Sequence, residues 1–129
     1  MTLTRTPNSL VLNNGNQTWT NMPSILTEFL GTVHRRMKFS FIDVDFIRLV
    51  ARISTAGFAG SLIFAQYSTD ESIWNTLTSS IAIDSTGTKV TSFNVMPVSA
   101  KGDVFIRLVG QGGNGTIDPI IGSVSLEFR

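Results

Sequence analysis

The residues that could carry out chemistry in this 129-residue chain are one histidine, a few scattered carboxylates and one glycine-rich run. The single histidine, His34, stands beside Arg35 and Arg36, whose charges oppose protonation of the imidazole and binding of a metal cation. The chain has no cysteine, which removes thiolate metal sites, disulfides and a thiol nucleophile. Serines are plentiful, but no nucleophile-elbow motif supports His34. The sequence therefore indicates a protein that is not an enzyme.

The carboxylates stand mostly in predicted turns or at predicted strand ends. A glycosidase would need two of them facing each other across about 5 to 10 Å, whereas turn aspartates commonly accept hydrogen bonds from their own backbone. Neither Asp70-Glu71 nor the region around Asp118 has the ligand spacing of a calcium loop. We therefore expect no metal ion and no cofactor.

A glycine-rich run, Gly-Gln-Gly-Gly-Asn-Gly, occupies residues 110–115. Phosphate-binding loops of similar composition lead directly into a helix, whose N-terminus meets the phosphate. Here the chain continues as Thr-Ile-Asp-Pro and then an extended run. The context excludes a nucleotide site and predicts a mobile loop at the end of a sandwich.

The elements that would position these residues are strands, and the pentapeptide Phe-Ile-Arg-Leu-Val occurs in two of them, at residues 46–50 and 105–109. Because successive strand side chains point to opposite faces, Ile and Leu share one face while Phe, Arg and Val share the other. One face is aliphatic core, and the other carries an arginine that must reach water or a carboxylate. We expect the outward arginines Arg48, Arg52 and Arg107 to pair across strands with Asp45 or Asp103, or to lay their aliphatic stems on the sheet.

Alternation and turn residues recur along the chain every eight to twelve residues or so, as in an all-β sandwich. We predict two packed antiparallel sheets of about eight strands with jelly-roll topology. Asn14-Gly15 predicts a first hairpin. Residues 24–30 fit a buried strand or a short helix, and the final strand should bury Val124, Leu126 and Phe128.

Composition bounds the possible functions of the chain. The size predicts one domain, residues 1–129, with an N-terminal arm at residues 1–9. A net charge of +1 with 15% charged residues argues against nucleic acid as a partner. No stretch approaches the roughly 18 apolar residues of a membrane span, and the N-terminus lacks a secretory signal. The tryptophans Trp19 and Trp74 are predicted to be buried at the ends of the core, whereas burial and exposure of Phe58 are almost evenly balanced.

Several short motifs, in their order and spacing, resemble a β-sandwich domain of structural proteins from tailed bacteriophages and prophages. They are Arg-Leu-Val-Ala-Arg (48–52), Thr-Ala-Gly (55–57), Ala-Gln-Tyr-Ser-Thr-Asp (65–70) followed by Trp74, Asp-Val-Phe-Ile-Arg (103–107), and Gly-Asn-Gly (113–115) with Asp-Pro (118–119). The resemblance covers residues 28–129. Phage versions often have glycine where this chain has Glu71, which puts a tight glycine turn in question there.

The resemblance implies a virion component without catalytic residues. A chain that starts with methionine and carries this domain alone favours a capsid decoration (cement) protein, made in the host cytoplasm and bound to the outside of the head. Its expected partners are the major capsid protein and copies of itself in a homotrimer. The alternative is a carbohydrate- or receptor-binding module of a tail fibre, with a glycan as partner. The candidate interface residues are Arg5, Arg35, Arg36, Phe58 and Trp74.

Overall fold

The computed structural model of this chain describes residues 7–29 and 36–129. Within these residues the chain forms twelve strand segments and one short 3₁₀ helix, Val98–Ala100. The strands are β1 Asn8–Asn13, β2 Gln17–Thr18, β3 Thr27–Glu28, β4 Met37–Ser40, β5 Phe46–Thr55, β6 Leu62–Ser68, β7 Asn75–Thr76, β8 Ile81–Ala82, β9 Gly87–Val90, β10 Asn94–Val95, β11 Asp103–Gln111 and β12 Ile120–Phe128. Arg5, His34 and Arg35 lie outside the described residues, as do residues 1–6 of the predicted arm.

Two antiparallel sheets form the molecule and pack on a shared core. In the first sheet β12 and β5 are central, with β1 and β2 pairing beside β12 and with β9 and β10 pairing beside β5. In the second sheet β11 and β6 are central, with β3 and β4 beside β11 and with β7 and β8 beside β6. The predicted all-β, two-sheet antiparallel sandwich is therefore confirmed.

Each edge of the two sheets is a strand broken into two segments. Along β12, for example, Ser9 of β1 lies opposite Glu127 and Thr18 of β2 lies opposite Ile120, so both segments run in one direction. When each broken pair counts as one strand, the described residues form eight strands, in the order 1-8-3-6 in one sheet and 2-7-4-5 in the other. This order is that of a jelly roll.

The predicted hairpin at Asn14-Gly15 is wrong. Both flanking segments pair with β12 and not with each other, so the three residues between β1 and β2 form a local break in one edge strand. Gly15 has a positive φ of 83°, as the Asn-Gly signal requires. The Asn13 amide donates hydrogen bonds to the carbonyl oxygens of Gly15 and Gly122, which fixes the break against β12. The chain does turn at Asn14-Gly15, as the sequence predicted, but the strand that pairs with both flanking segments is β12, which is distant in the sequence.

The ambiguous segment, residues 24–30, contains only the two-residue strand β3 within its described part. Ile25 and Leu26 are exposed, whereas Phe29 is buried and its ring centre lies 4.8 Å from that of Trp19. The apolar run is therefore divided between the core and the surface.

The core confirms the alternation predicted in the long strands. Each copy of the pentapeptide buries its isoleucine and leucine completely, and β12 buries Val124, Leu126 and Phe128. Trp19 is buried, as predicted, whereas Trp74 is only half-buried, so its predicted burial is wrong. Apolar burial of this kind is the main favourable contribution to folding.

Glu71 replaces the glycine expected in the turn after β6. It has a φ of 60°, and the Asp70 carboxylate accepts hydrogen bonds from the backbone N–H groups of Ser72 and Ile73 at 2.9 and 3.0 Å. These bonds compensate for a left-handed conformation that a glutamate rarely adopts. The turn therefore forms without glycine.

Candidate functional site

The structure separates the predicted interface residues that it describes into two regions. Arg36 and Trp74 meet on the outer face of the second sheet, where Trp74 precedes β7 and Arg36 precedes β4. Phe58 lies in the loop between β5 and β6, at one end of the sandwich. Arg5 and Arg35 lie outside the described residues. The candidates therefore do not form a single site.

The tryptophan cluster consists of Trp74, Arg36, Arg107, Glu28 and Gln66. The guanidinium carbons of Arg36 and Arg107 lie 4.9 and 4.2 Å from the centre of the Trp74 ring. Arg36 donates to both carboxylate oxygens of Glu28, with Nη2 to Oε1 at 2.7 Å, and Arg107 Nη1 lies 3.4 Å from the same Oε1. Arg107 Nε also donates to Gln66 Oε1 at 2.9 Å, directly across the β6–β11 pair.

The two positive charges of the tryptophan cluster face Glu28 and also Glu71, whose Oε1 lies 3.6 Å from Arg36 Nη1. The hydrogen bond with Glu28 raises the pKa of Arg36, while burial lowers the pKa of Arg107 against the opposing effect of Glu28. Both guanidinium groups stay charged, because the pKa of arginine lies far above neutral pH. Since the arginines share a carboxylate and contact the same ring, they attach the edge segments to β11 and leave little binding capacity for a partner.

The phenylalanine cluster, which consists of Phe93, Arg48, Arg129 and Glu127, repeats this arrangement on the outer face of the first sheet. The guanidinium carbons of Arg48 and Arg129 each lie 4.3 Å from the centre of the Phe93 ring. Arg48 Nε donates to Glu127 Oε1 at 2.7 Å, across the β5–β12 pair. Both copies of the pentapeptide thus place their arginine against a glutamate and an aromatic ring.

The expected pairing of these arginines with Asp45 or Asp103 is wrong. Asp45 precedes β5 in a loop, where its carboxylate lies 3.7 Å from Lys101 Nζ. Asp103 stands at the start of β11, four residues before Arg107 and opposite Ser40. Glu28 and Glu127 reach the arginines because strand pairing brings them across from distant parts of the chain, and no local spacing in the sequence indicates this.

A second region, the loop tip, consists of the four loops at the Phe58 end, residues 19–26, 56–61, 83–86 and 112–119. Ile25 is 72% exposed there, and Leu26, Phe58 and Ile117 are 39–44% exposed. The only charged residues in these loops are Asp84 and Asp118. Their carboxylates accept hydrogen bonds from the backbone N–H groups of Gly60 and Asn21 at 3.0 and 2.7 Å. The loop tip therefore presents four large apolar side chains among polar ones and contains no basic residue.

Backbone hydrogen bonds hold the loop tip in place. Gly112, Gly113 and Gly115 donate to carbonyl oxygens in residues 22–24 at 2.9–3.0 Å. A side chain at Gly113 would overlap the carbonyl group of Met22, so the two loops can approach only with glycine there. The sequence predicted a mobile loop in this place, and the structure shows one joined to its neighbour by three hydrogen bonds.

The opposite end of the sandwich is more exposed but also charged. Ile42, Val95 and Val98 are 72%, 75% and 84% exposed there. Four charged residues lie in or beside the same loops: Asp43, Asp45, Lys101 and Asp103. Because the cores of protein interfaces are depleted in charged residues and enriched in aromatic ones, the loop tip with Phe58 is the better candidate for a docking surface.

The described residues contain no group of three or more histidine, aspartate or glutamate side chains placed to hold a metal ion. In the same part of the chain, no helix has the length and apolar character needed to cross a membrane.

Comparisons with known proteins identify the fold of the chain. No protein-family model matches the sequence, and no curated protein matches it. Among solved structures, a chain from the structure of infectious bursal disease virus, Gx strain, is similar, with a TM-score of 0.52 and 11% identity. The match covers 95% of this chain and 31% of the virus chain, so this chain spans less than a third of that chain's length. At this identity the similarity shows a shared fold alone.

Proposed function

We propose that this protein is a structural component of a virus particle and that it acts by binding other proteins, not by catalysis. The observation that supports this proposal is the fold, an eight-stranded antiparallel sandwich. Over 95% of its own length, this chain matches part of a chain in a virus structure. More specifically, it is a capsid decoration protein of a tailed bacteriophage. It binds the major capsid protein on the outside of the head and associates with copies of itself as a homotrimer.

The loop tip is the surface proposed to contact the capsid. Its apolar side chains are presented by loops that are already held by hydrogen bonds, so little conformational entropy is lost on binding. In each of its two carboxylates one oxygen accepts a backbone hydrogen bond, which fixes the position of the side chain. A subunit that binds the assembled lattice and not its separate parts stabilises the lattice by mass action.

Phage heads assembled without this protein provide the test. We expect the purified protein to sediment with these heads and to raise the temperature at which they release DNA. Phe58→Ala should weaken binding about tenfold, the effect of losing an interface anchor worth about 1.4 kcal/mol. Val98→Ala, at the charged end, is the matched control and should bind as the unaltered protein does. Failure of the unaltered protein to bind, or binding without thermal protection, rejects the decoration role.

The second candidate function is a carbohydrate- or receptor-binding module of a tail fibre, and the observation that favours it is the exposure of Phe58 at the loop tip. An exposed aromatic ring can stack on a sugar. Trp74 contributes less to this hypothesis, because its ring already contacts two arginines. Binding to a glycan array that disappears with Phe58→Ala would support the module, and silence across a broad array would count against it.

A further inference from the structure

A groove opens on one side of the sandwich, between the edge segments β8 and β9 of the two sheets. Its volume is about 390 Å³, within the range of small-molecule sites. The groove is lined by Ser79, Ser80, Ile81, Ala82, Lys89, Val90, Thr91 and Ser92. One wall thus comes from each sheet, and hydroxyl groups occur on both walls.

Lys89 supplies the positive charge of the groove. It lies opposite the buried Ala51, so its side chain points inward between the sheets. Lys89 Nζ donates to the carbonyl oxygen of Ala82 at 2.7 Å and to Ser85 Oγ at 2.6 Å, which leaves one of its three N–H donors available. Within residues 7–29 and 36–129 no carboxylate forms a salt bridge with Lys89, whereas Arg36, Arg48, Arg107 and Lys101 each have at least one.

The hydroxyl groups of the groove add further donors and acceptors. Ser79 Oγ accepts a hydrogen bond from Asn94 Nδ2 at 2.6 Å, so its own proton is available to donate. The Ser80 and Ser92 hydroxyl groups make no side-chain hydrogen bond to any other described residue. Since β8 pairs only with β6 and β9 only with β5 in the described chain, both segments also present backbone groups on their free edges.

These features favour a small polar ligand over an added peptide strand. A lysine that points inward at a sheet edge is a device that opposes strand addition, and Lys89 crosses the groove to reach β8. No aromatic ring lines the groove, so a neutral sugar would have no stacking surface. A ligand must instead accept from an ammonium group and exchange hydrogen bonds with several hydroxyl and backbone groups.

We propose that the β8–β9 groove binds a carboxylate-bearing sugar. The carboxylate accepts the remaining donor of Lys89, and the ring hydroxyls exchange hydrogen bonds with Ser79, Ser80 and Ser92. Aliphatic side chains on the floor contact the carbon skeleton. Uronic acids and sialic acids share this chemistry. The site is separate from the loop tip, so this proposal goes beyond the docking role and does not depend on it.

The test is a titration of the full chain followed by amide chemical shifts in NMR. Glucuronic acid and N-acetylneuraminic acid are the two probes, glucose is the matched neutral sugar, and acetate is the matched simple anion. We expect at least one acidic sugar to shift the amides of Ser80, Lys89 and Ser92, with at least tenfold higher affinity than glucose or acetate. The acid that binds more tightly identifies the sugar class.

Lys89→Met should reduce the affinity for the acidic sugar at least tenfold. Arg52→Met removes the same charge from the outer face of the neighbouring strand, opposite Thr88, and should leave the affinity unchanged. Ser80→Ala is a second groove variant, and thermal unfolding of each variant verifies that it folds. Equal affinity for glucose or acetate, no binding at all, or full binding by both groove variants would overturn the proposal. Phe58→Ala should not change sugar binding, so the groove and the loop tip succeed or fail separately.

Discussion

The two copies of the pentapeptide are identical in sequence and lie in different sheets, which makes them a natural comparison. Ile47 and Leu49 in β5 are as completely buried as Ile106 and Leu108 in β11. Each arginine contacts a glutamate and an aromatic ring on the outer face of its sheet. The isoleucine, leucine and arginine of the two copies are therefore placed alike, whereas the valines differ, because Val109 is fully buried and Val50 only half-buried.

The surroundings of the two arginines differ. The side chain of Arg107 is 18% exposed and that of its partner Glu28 is 11% exposed, whereas the values for Arg48 and Glu127 are 29% and 28%. Glu28 also bonds to Arg36, and Gln66 also bonds to Arg107. The local sequence thus determines the direction in which a side chain points. The rest of the fold determines how buried its contacts are and therefore how much they contribute to stability.

The largest expected effect comes from the shared core positions. Leu49→Ala and Leu108→Ala should each lower the free energy of unfolding by about 2 to 5 kcal/mol, because both side chains are fully buried and leave a cavity. Urea denaturation followed by circular dichroism measures both losses. A loss at one position of less than half that at the other would show that the two copies are not equivalent in the core.

The next effect should distinguish the two clusters. Glu28→Gln leaves Arg36 and Arg107 without a shared carboxylate and should cost about 2 kcal/mol, as for a lost hydrogen bond to a charged group. Glu127→Gln, in the more exposed pair, should cost about 0.5 to 1 kcal/mol. Equal losses in parallel urea titrations would contradict the ranking.

Replacing the aromatic ring of each cluster should lower the free energy of unfolding by a smaller amount, and again by more in the tryptophan cluster than in the phenylalanine cluster. Trp74→Leu should cost about 1 kcal/mol beyond the loss of apolar area, and Phe93→Leu about 0.5 kcal/mol, because tryptophan is the better partner for a cation. Trp74→Phe is the control and should retain part of the contribution. Double-mutant cycles with Arg107→Met and Arg48→Met isolate the contribution of each ring–arginine contact to the free energy of unfolding. Coupling energies near zero in both cycles would show that these contacts do not stabilise the protein.

The smallest expected effect is a pH dependence confined to the turn before Trp74. Backbone hydrogen bonds from Ile73 and Ser72 lower the pKa of Asp70 below its ordinary value of 3.8. A carboxylate with a lowered pKa in the folded state adds stability above its unfolded pKa and loses it as the pH falls through the folded value. The stability advantage over Asp70→Asn should therefore be constant near neutral pH and decline below about pH 3.8. An advantage that does not decline as the pH falls below 3.8 would contradict this assignment.

The sequence predicted what depends on local periodicity. The final strand and both pentapeptides bury the side chains that alternation assigned to the core. Pairing partners could not be predicted, because each arginine and its glutamate are 79 residues apart. For the same reason Asn14-Gly15 suggested a hairpin, although both of its flanking segments pair with β12.

The candidate docking surface was predictable only in part. Phe58 stood out as an aromatic residue in a glycine-rich turn, and the structure exposes it at the loop tip. Trp74 stood out as an aromatic residue near a turn and Arg36 as an outward cation, yet the two contact each other and Arg36 also bonds to Glu28. An exposed aromatic ring and one held by arginines have the same appearance in a sequence, because only the fold brings the arginines to the ring.

The broken edge strands have a consequence for how copies of this protein meet. A long unbroken edge would let one sandwich extend the sheet of the next, and crowding on a surface would then favour fibres. Here every edge is divided into segments of two to six residues, and an inward lysine stands at one of them. The edges of the described sheets are therefore poor templates for an added strand, which leaves the loops and the outer faces as the surfaces open to a partner.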